Sequence, residues 1–232
     1  MRKYTTLLFD ADMTLFDFEG AEKRAFGIVM AEAGIQYSDG DFERYRAINS
    51  DLWARFGRGE ITKDYLQSER FTAFLRTVDA RFTGEDGRRI NAAYLEALAD
   101  CSELLPGAEM LCRRLAADYT LYIVTNGVSR TQKKRFAASP IRPYFGDIFV
   151  SEDAGVPKPD PRYFDYVFAH IGEERRADSV IIGDSLTSDI AGGKAAGIDT
   201  IWYNPDGKDC GEIHPTAEAA DFDALYRIIT QA

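Results

Sequence analysis

The chain is poor in cysteine, in histidine and in long apolar runs, and each scarcity excludes something. Its 232 residues include three cysteines and two histidines. Cys101, Cys112 and Cys210 are odd in number and lack metal-ligand spacing, so neither a disulfide framework nor a zinc site is expected. They read as reduced, packed thiols of a cytoplasmic protein. His170 and His214 have no partner motif and read as structural. No stretch approaches membrane-span length. The first apolar run is short and broken by Asp10 and Asp12, so no signal peptide is expected. Repeats and low-complexity tracts are absent. Positive charge is also short: 28 Lys and Arg stand against 38 Asp and Glu, a net charge of −10. Such a surface repels nucleic acid and anionic membranes, and neither is an expected partner. An anionic substrate would then need local help, from a metal or from placed Lys and Arg.

What the chain does have is apolar content of 45%, enough for one large domain or a core with a smaller insert. Its first organised stretch is Tyr4-Thr5-Thr6-Leu7-Leu8-Phe9, which reads as a short buried strand. It ends in Asp10-Ala11-Asp12-Met13-Thr14, with two carboxylates one residue apart. From there to about position 102 the pattern is helical, with segments predicted over 19–33, 39–56, 62–78 and 85–101. Ser38 or Asp39 and Thr62 are the expected caps. Beyond Pro106, helices over 107–117, 130–138, 160–171, 188–196 and 222–229 alternate with strands over 119–124, 147–150, 179–182 and 199–203. That alternation predicts an α/β fold, a parallel sheet covered on both faces. The expected domains are a core of 1–15 and 103–232 and a helical insert of 16–102.

Polar groups recur at the carboxyl ends of three strands: Asp10 and Asp12, then Thr125 and Asn126, then Asp184. Ligands of open α/β sheets bind at such ends. Lys158 stands on a loop between two prolines, and Asp189 follows Asp184 by five positions. Each has a plain alternative: a solvated acidic turn, an Asn-Gly turn, a solvated loop lysine, a helix-capping aspartate. All of them in one order at strand ends is hard to reach by chance. The run Lys133-Lys134-Arg135 reads as a solvated helix face, with Arg135 a possible lining of the entrance. Trp53, Phe56 and Tyr65 read as helix packing, with stacking on a base as the alternative.

These residues resemble the haloacid dehalogenase-like phosphatases. Asp10 to Thr14 is similar to their Asp-x-Asp-x-Thr motif, Thr125 to their second motif, Lys158 to their third, and Gly183-Asp184 with Asp189 to their fourth. The resemblance implies a doubly wound core with strand order 5-4-1-2-3 and a helical cap inserted after the first motif. Within that superfamily, Ile48 to Trp53, Gly59 to Thr62, Glu69 to Phe71, Thr125-Asn126-Gly127 with Gln132 and Arg135, Ser151 to Val156 and Gly197 to Thr200 resemble the noncanonical pyrimidine 5′-nucleotidases. Met13 departs from the Gly or Asp usual at its position.

The resemblance implies a Mg²⁺-dependent phosphatase that passes through an aspartyl-phosphate. Asp10 is the implied nucleophile, and Asp12 the implied general acid and base. Mg²⁺ would be held by the Asp10 and Asp184 side chains and the Asp12 backbone carbonyl. Thr125, Asn126 and Lys158 would bind the phosphoryl group, and Asp189 would hold a metal-bound water or Lys158. The helical cap would close over the site and read the leaving group. The expected partner is a small phosphate ester, a pyrimidine nucleoside 5′-monophosphate before a sugar phosphate, acted on by a monomer or weak homodimer. A dehalogenase would have no use for Asp12. A phosphomutase or a non-catalytic binding protein on the same scaffold are the other rivals.

Overall fold

The computed structural model describes residues 3–231. Strand β1, Thr6–Phe9, is followed by four helices: α1 Phe18–Glu32, α2 Asp39–Gly57, α3 Lys63–Val78 and α4 Gly84–Ala99. Then come α5 Ala108–Leu115, β2 Thr120–Thr125, α6 Ser129–Ala138, β3 Phe145–Val150, the short α7 Ser151–Ala154 and α8 Pro161–Ile171. The chain ends with β4 Ser179–Gly183, α9 Ala191–Ala195, β5 Asp199–Tyr203, β6 Ala217–Ala219 and α10 Phe222–Gln231. It forms two compact units, one holding the chain up to Phe18 and from Ser102 onward, the other Glu19–Cys101.

The helical unit begins its helices where local chemistry asks for it. Ser38 opens α2 and Thr83 opens α4, each in a reciprocal capping box with an aspartate three residues on. Thr62 caps α3 by accepting from the Tyr65 N–H. An aromatic cluster of Phe26, Phe42, Tyr45, Phe71, Phe74 and Tyr94 fills the interior, with Tyr45 and Phe71 stacked at 4.7 Å between centroids. Polar groups are buried beside it: Asn49 donates to Glu22 at 2.7 Å, and Arg70 to Asn91 at 2.6 Å.

The other unit is a six-stranded sheet in the order β3-β2-β1-β4-β5-β6, parallel throughout. This is the α/β architecture expected from the alternation of strands and helices, in the strand order that the resemblance implies, extended by β6 at one edge. Strand alternation sends successive side chains of β1 to opposite faces. Leu7 and Phe9 join Ala108, Leu111 and Leu115 of α5 and Leu225 of α10. Leu8 joins Tyr163, Phe164, Val167 and Phe168 of α8. Both faces are therefore covered. No helix among the described residues is long and apolar enough to cross a membrane.

One predicted element differs. The helix expected over 188–196 is instead a π-helical turn, Leu186–Ile190, leading into the shorter α9. The Ser185 carbonyl accepts from both the Asp189 and Ile190 N–H groups. The wide turn lets the Asp189 carboxylate fold back on the Ser185 N–H at 3.1 Å, and π-bulges of this kind commonly serve sites.

Candidate active site

Lys158 is completely buried, with its ammonium 2.7 Å from Asp10 Oδ1, 2.6 Å from Asp189 Oδ1 and 2.6 Å from the Val124 carbonyl. It is no solvated loop charge. Asn126 fixes it from the backbone: the Asn126 amide accepts from the Lys158 N–H and donates to the Lys158 carbonyl, both at 2.9 Å. Asp10 extends β1 by donating its N–H to the Ile182 carbonyl of β4 at 2.8 Å. Asp184 follows β4 directly; its N–H donates to the Thr14 hydroxyl at 3.1 Å, and its carbonyl accepts from the Trp202 indole at 2.8 Å. Gly183 is required here, because a Cβ at that position would lie 2.2 Å from Asp189 Oδ2.

Asp10, Asp184 and Asp189 each present an oxygen within 4.8 Å of the others. Three carboxylates around one ammonium leave an excess of two negative charges if all are ionised. Burial pushes the Asp10 carboxyl well up, against the pull of the Lys158 ammonium. Burial, with the Asp189 charge next, pushes Asp184 up to about 7. Burial acts to pull Lys158 down, but Asp10 and Asp189 hold its ammonium above its usual range. A hard divalent cation fits this oxygen set and would offset the burial and, after it, the like-charge repulsion that raise both carboxyls.

The Asp12 carboxylate lies outside that cluster. Arg135 Nη1 donates to its Oδ1 and Gln132 Nε2 to its Oδ2, both at 2.5 Å. Arg135 is 1% exposed, which overturns its reading as part of a solvated basic face. The signal was in the helical spacing: Thr131, Gln132, Arg135 and Phe136 are the buried residues of α6, one stripe of that helix. Gln132 also donates to the Thr125 hydroxyl at 3.2 Å, which accepts in turn from the Gly127 N–H at 3.1 Å. Accepting twice, Thr125 keeps its own proton to donate elsewhere.

Residues 4–197 match the family of haloacid dehalogenase-like hydrolases. The chain is 42% identical to YfnB of Bacillus subtilis over 99% of its own length and 97% of that protein's. A crystal structure of YfnB bound to magnesium, described as revealing interdomain movement, superposes with a TM-score of 0.91 over 97% of this chain and 98% of that one. Two pyrimidine 5′-nucleotidases are also similar: PynA of Streptococcus pneumoniae, 37% identical over 87% of this chain and 84% of that protein, and YjjG of Escherichia coli, 33% identical over 98% of each. Matches of this length and identity, on a sheet whose strand ends gather Asp10, Lys158, Asp184 and Asp189, leave one classification: the chain belongs to the haloacid dehalogenase-like hydrolases.

Proposed function

We propose that the protein is a Mg²⁺-dependent phosphomonoesterase that hydrolyses pyrimidine nucleoside 5′-monophosphates through an aspartyl-phosphate. The observation that carries the chemistry is the burial of Lys158 between Asp10 and Asp189. A buried ammonium with two carboxylates makes poor sense as a structural device, since ion pairs rarely repay their desolvation. It makes sense beside an anion that comes and goes. The substrate class rests on the likeness to the two pyrimidine 5′-nucleotidases.

Lys158 engages Asp10 Oδ1, which leaves Oδ2 to attack phosphorus. The new P–O bond to Asp10 forms as the bond to the leaving oxygen breaks, and the Asp12 carboxyl gives its proton to the departing alkoxide. Water then attacks the same phosphorus, Asp12 takes its proton, and the Asp10–phosphorus linkage breaks to release phosphate. The Thr125 hydroxyl and Lys158 ammonium stabilise the charge on the phosphoryl oxygens. The magnesium ion, held by Asp10, Asp184 and the Asp12 carbonyl, would supply charge neutralisation of substrate and carboxylates.

The test is a phosphate-release screen over nucleoside monophosphates and sugar phosphates, with magnesium and with a chelator. Pyrimidine nucleotides are expected to turn over fastest, and only with magnesium present. Faster turnover of a sugar phosphate than of any nucleotide would overturn the substrate class. Wild-type turnover by Asp10→Asn would overturn the nucleophile.

A further inference from the structure

The structure gives the Asp12 carboxylate a holder of its own, and we propose that Gln132 and Arg135 are positioning residues for proton transfer by Asp12. The inference rests on the phosphatase reading above and adds to it. Gln132 and Arg135 are three residues apart on α6 and so share a face. Each takes one Asp12 oxygen at 2.5 Å. Arg135 Nη1 also donates to Gln132 Oε1 at 3.1 Å, which fixes the amide with its nitrogen toward Asp12. The guanidinium itself is set by aromatic faces, with its carbon 4.9 Å from the Phe16 ring centre and 5.9 Å from that of Phe18. Room for the Gln132 amide is made by Gly127, where a Cβ would stand 2.2 Å from Gln132 Nε2.

The arrangement ties both oxygens of the carboxylate while its side chain stays 24% exposed, so the group is held but not enclosed. Two anchors define the plane of the carboxylate and hence the direction of its remaining lone pairs. Gln132 donates as well to the Thr125 hydroxyl, so one side chain sets the acid–base group and a phosphoryl donor in common register. Proton transfer depends steeply on such placement. A hold of this kind matters most when the leaving alcohol is a poor one, because only then is its protonation needed in the transition state.

The experiment compares kcat for two esters, p-nitrophenyl phosphate and a nucleoside 5′-monophosphate, in the full-length magnesium-loaded enzyme. The variants are Arg135→Met, Arg135→Lys and Gln132→Ala, each made in the wild type and in Asp12→Asn. Arg135→Met is expected to lower kcat on the nucleotide by about 10- to 100-fold, a part of what general acid–base catalysis contributes, and kcat on the aryl ester far less. Arg135→Lys should recover part of the loss. In the Asp12→Asn background the same changes should have little further effect, as expected of groups acting through one another. Equal losses on both esters, or the same fold-loss with Asp12 already replaced, would overturn the proposal. Should Arg135→Met fail to fold, Arg135→Lys and Gln132→Ala carry the same comparison. A wild-type enzyme that cleaves neither ester would refute the phosphatase reading itself, a result distinct from all of these.

Discussion

Met13 follows Asp12 with φ at +63°, the left-handed region, where a side chain is strained. It is the one non-glycine among the described residues with positive φ. The residue is 38% exposed, so little packing compensates. Met13→Gly removes a strain of about 1–2 kcal/mol. The looser unfolded chain returns about 0.4–1 kcal/mol of that. A net gain of roughly 0.5–1 kcal/mol is expected. Denaturant unfolding monitored by fluorescence would show it as a raised midpoint at unchanged slope. A lowered midpoint would mean that Met13 makes contacts worth more than its backbone strain. The same scale shows what a sequence hides. Asp10, Lys158 and Asp184 stood out as charges at strand ends or between prolines, whereas Arg135 was masked by two neighbouring lysines that do reach solvent. Charge runs suggest a wet surface, but the periodicity of α6 places only Arg135 on the buried stripe.

At the scale of elements, the strands of the central sheet were legible because each is a short β-rich run closed by a polar turn. The three-residue β6, Ala217–Ala219, carries no such signal; it exists because Tyr203 and its neighbours in β5 offer a ladder to pair with. The turn ahead of α9 was equally hidden, since π and α geometry share nearly the same apolar spacing over five residues. What α9 does declare is its glycines. Gly193 faces the sheet so closely that a Cβ would lie 2.5 Å from the Ile181 methyl and 2.6 Å from that of Thr200. Gly193→Ala must therefore push α9 off β4 and β5. Overpacking of this sort costs about 1–3 kcal/mol. Since Asp189 sits in the turn that leads into α9, the shift should also loosen its hold on Lys158. Both effects are expected together: a lower unfolding midpoint, and a kcat below wild type at saturating magnesium. A destabilised variant with full kcat would show that the turn keeps its place without the helix.

For the whole molecule, two units mean two interiors, each burying charge in its own way. In the sheet-bearing unit the buried carboxylates face an ammonium and suit a divalent cation. In the helical unit Glu22 is 5% exposed and is bonded to Asn49. Burial, against the weaker pull of Asn49 and the Arg70 charge, pushes its carboxyl from 4.5 up to about 7. Between those values the folded unit binds more of a proton than the unfolded chain, so stability falls as pH rises. Glu22's contribution is complete below about pH 4.5 and lost as pH climbs through about 7. A displacement of that size corresponds to at most about 3 kcal/mol. A single unfolding transition cannot be assumed for a chain with two cores, so the measurement should resolve segments. Amide-exchange protection factors of α1 to α4 are expected to fall between pH 5.5 and 8 in the wild type. Glu22→Gln, which keeps an oxygen to accept from Asn49 but carries no charge, should flatten that dependence. It should also leave the helical unit better protected than wild type at pH 8. An unchanged pH dependence in the variant would place the titrating group elsewhere and return Glu22 to an ordinary buried hydrogen bond.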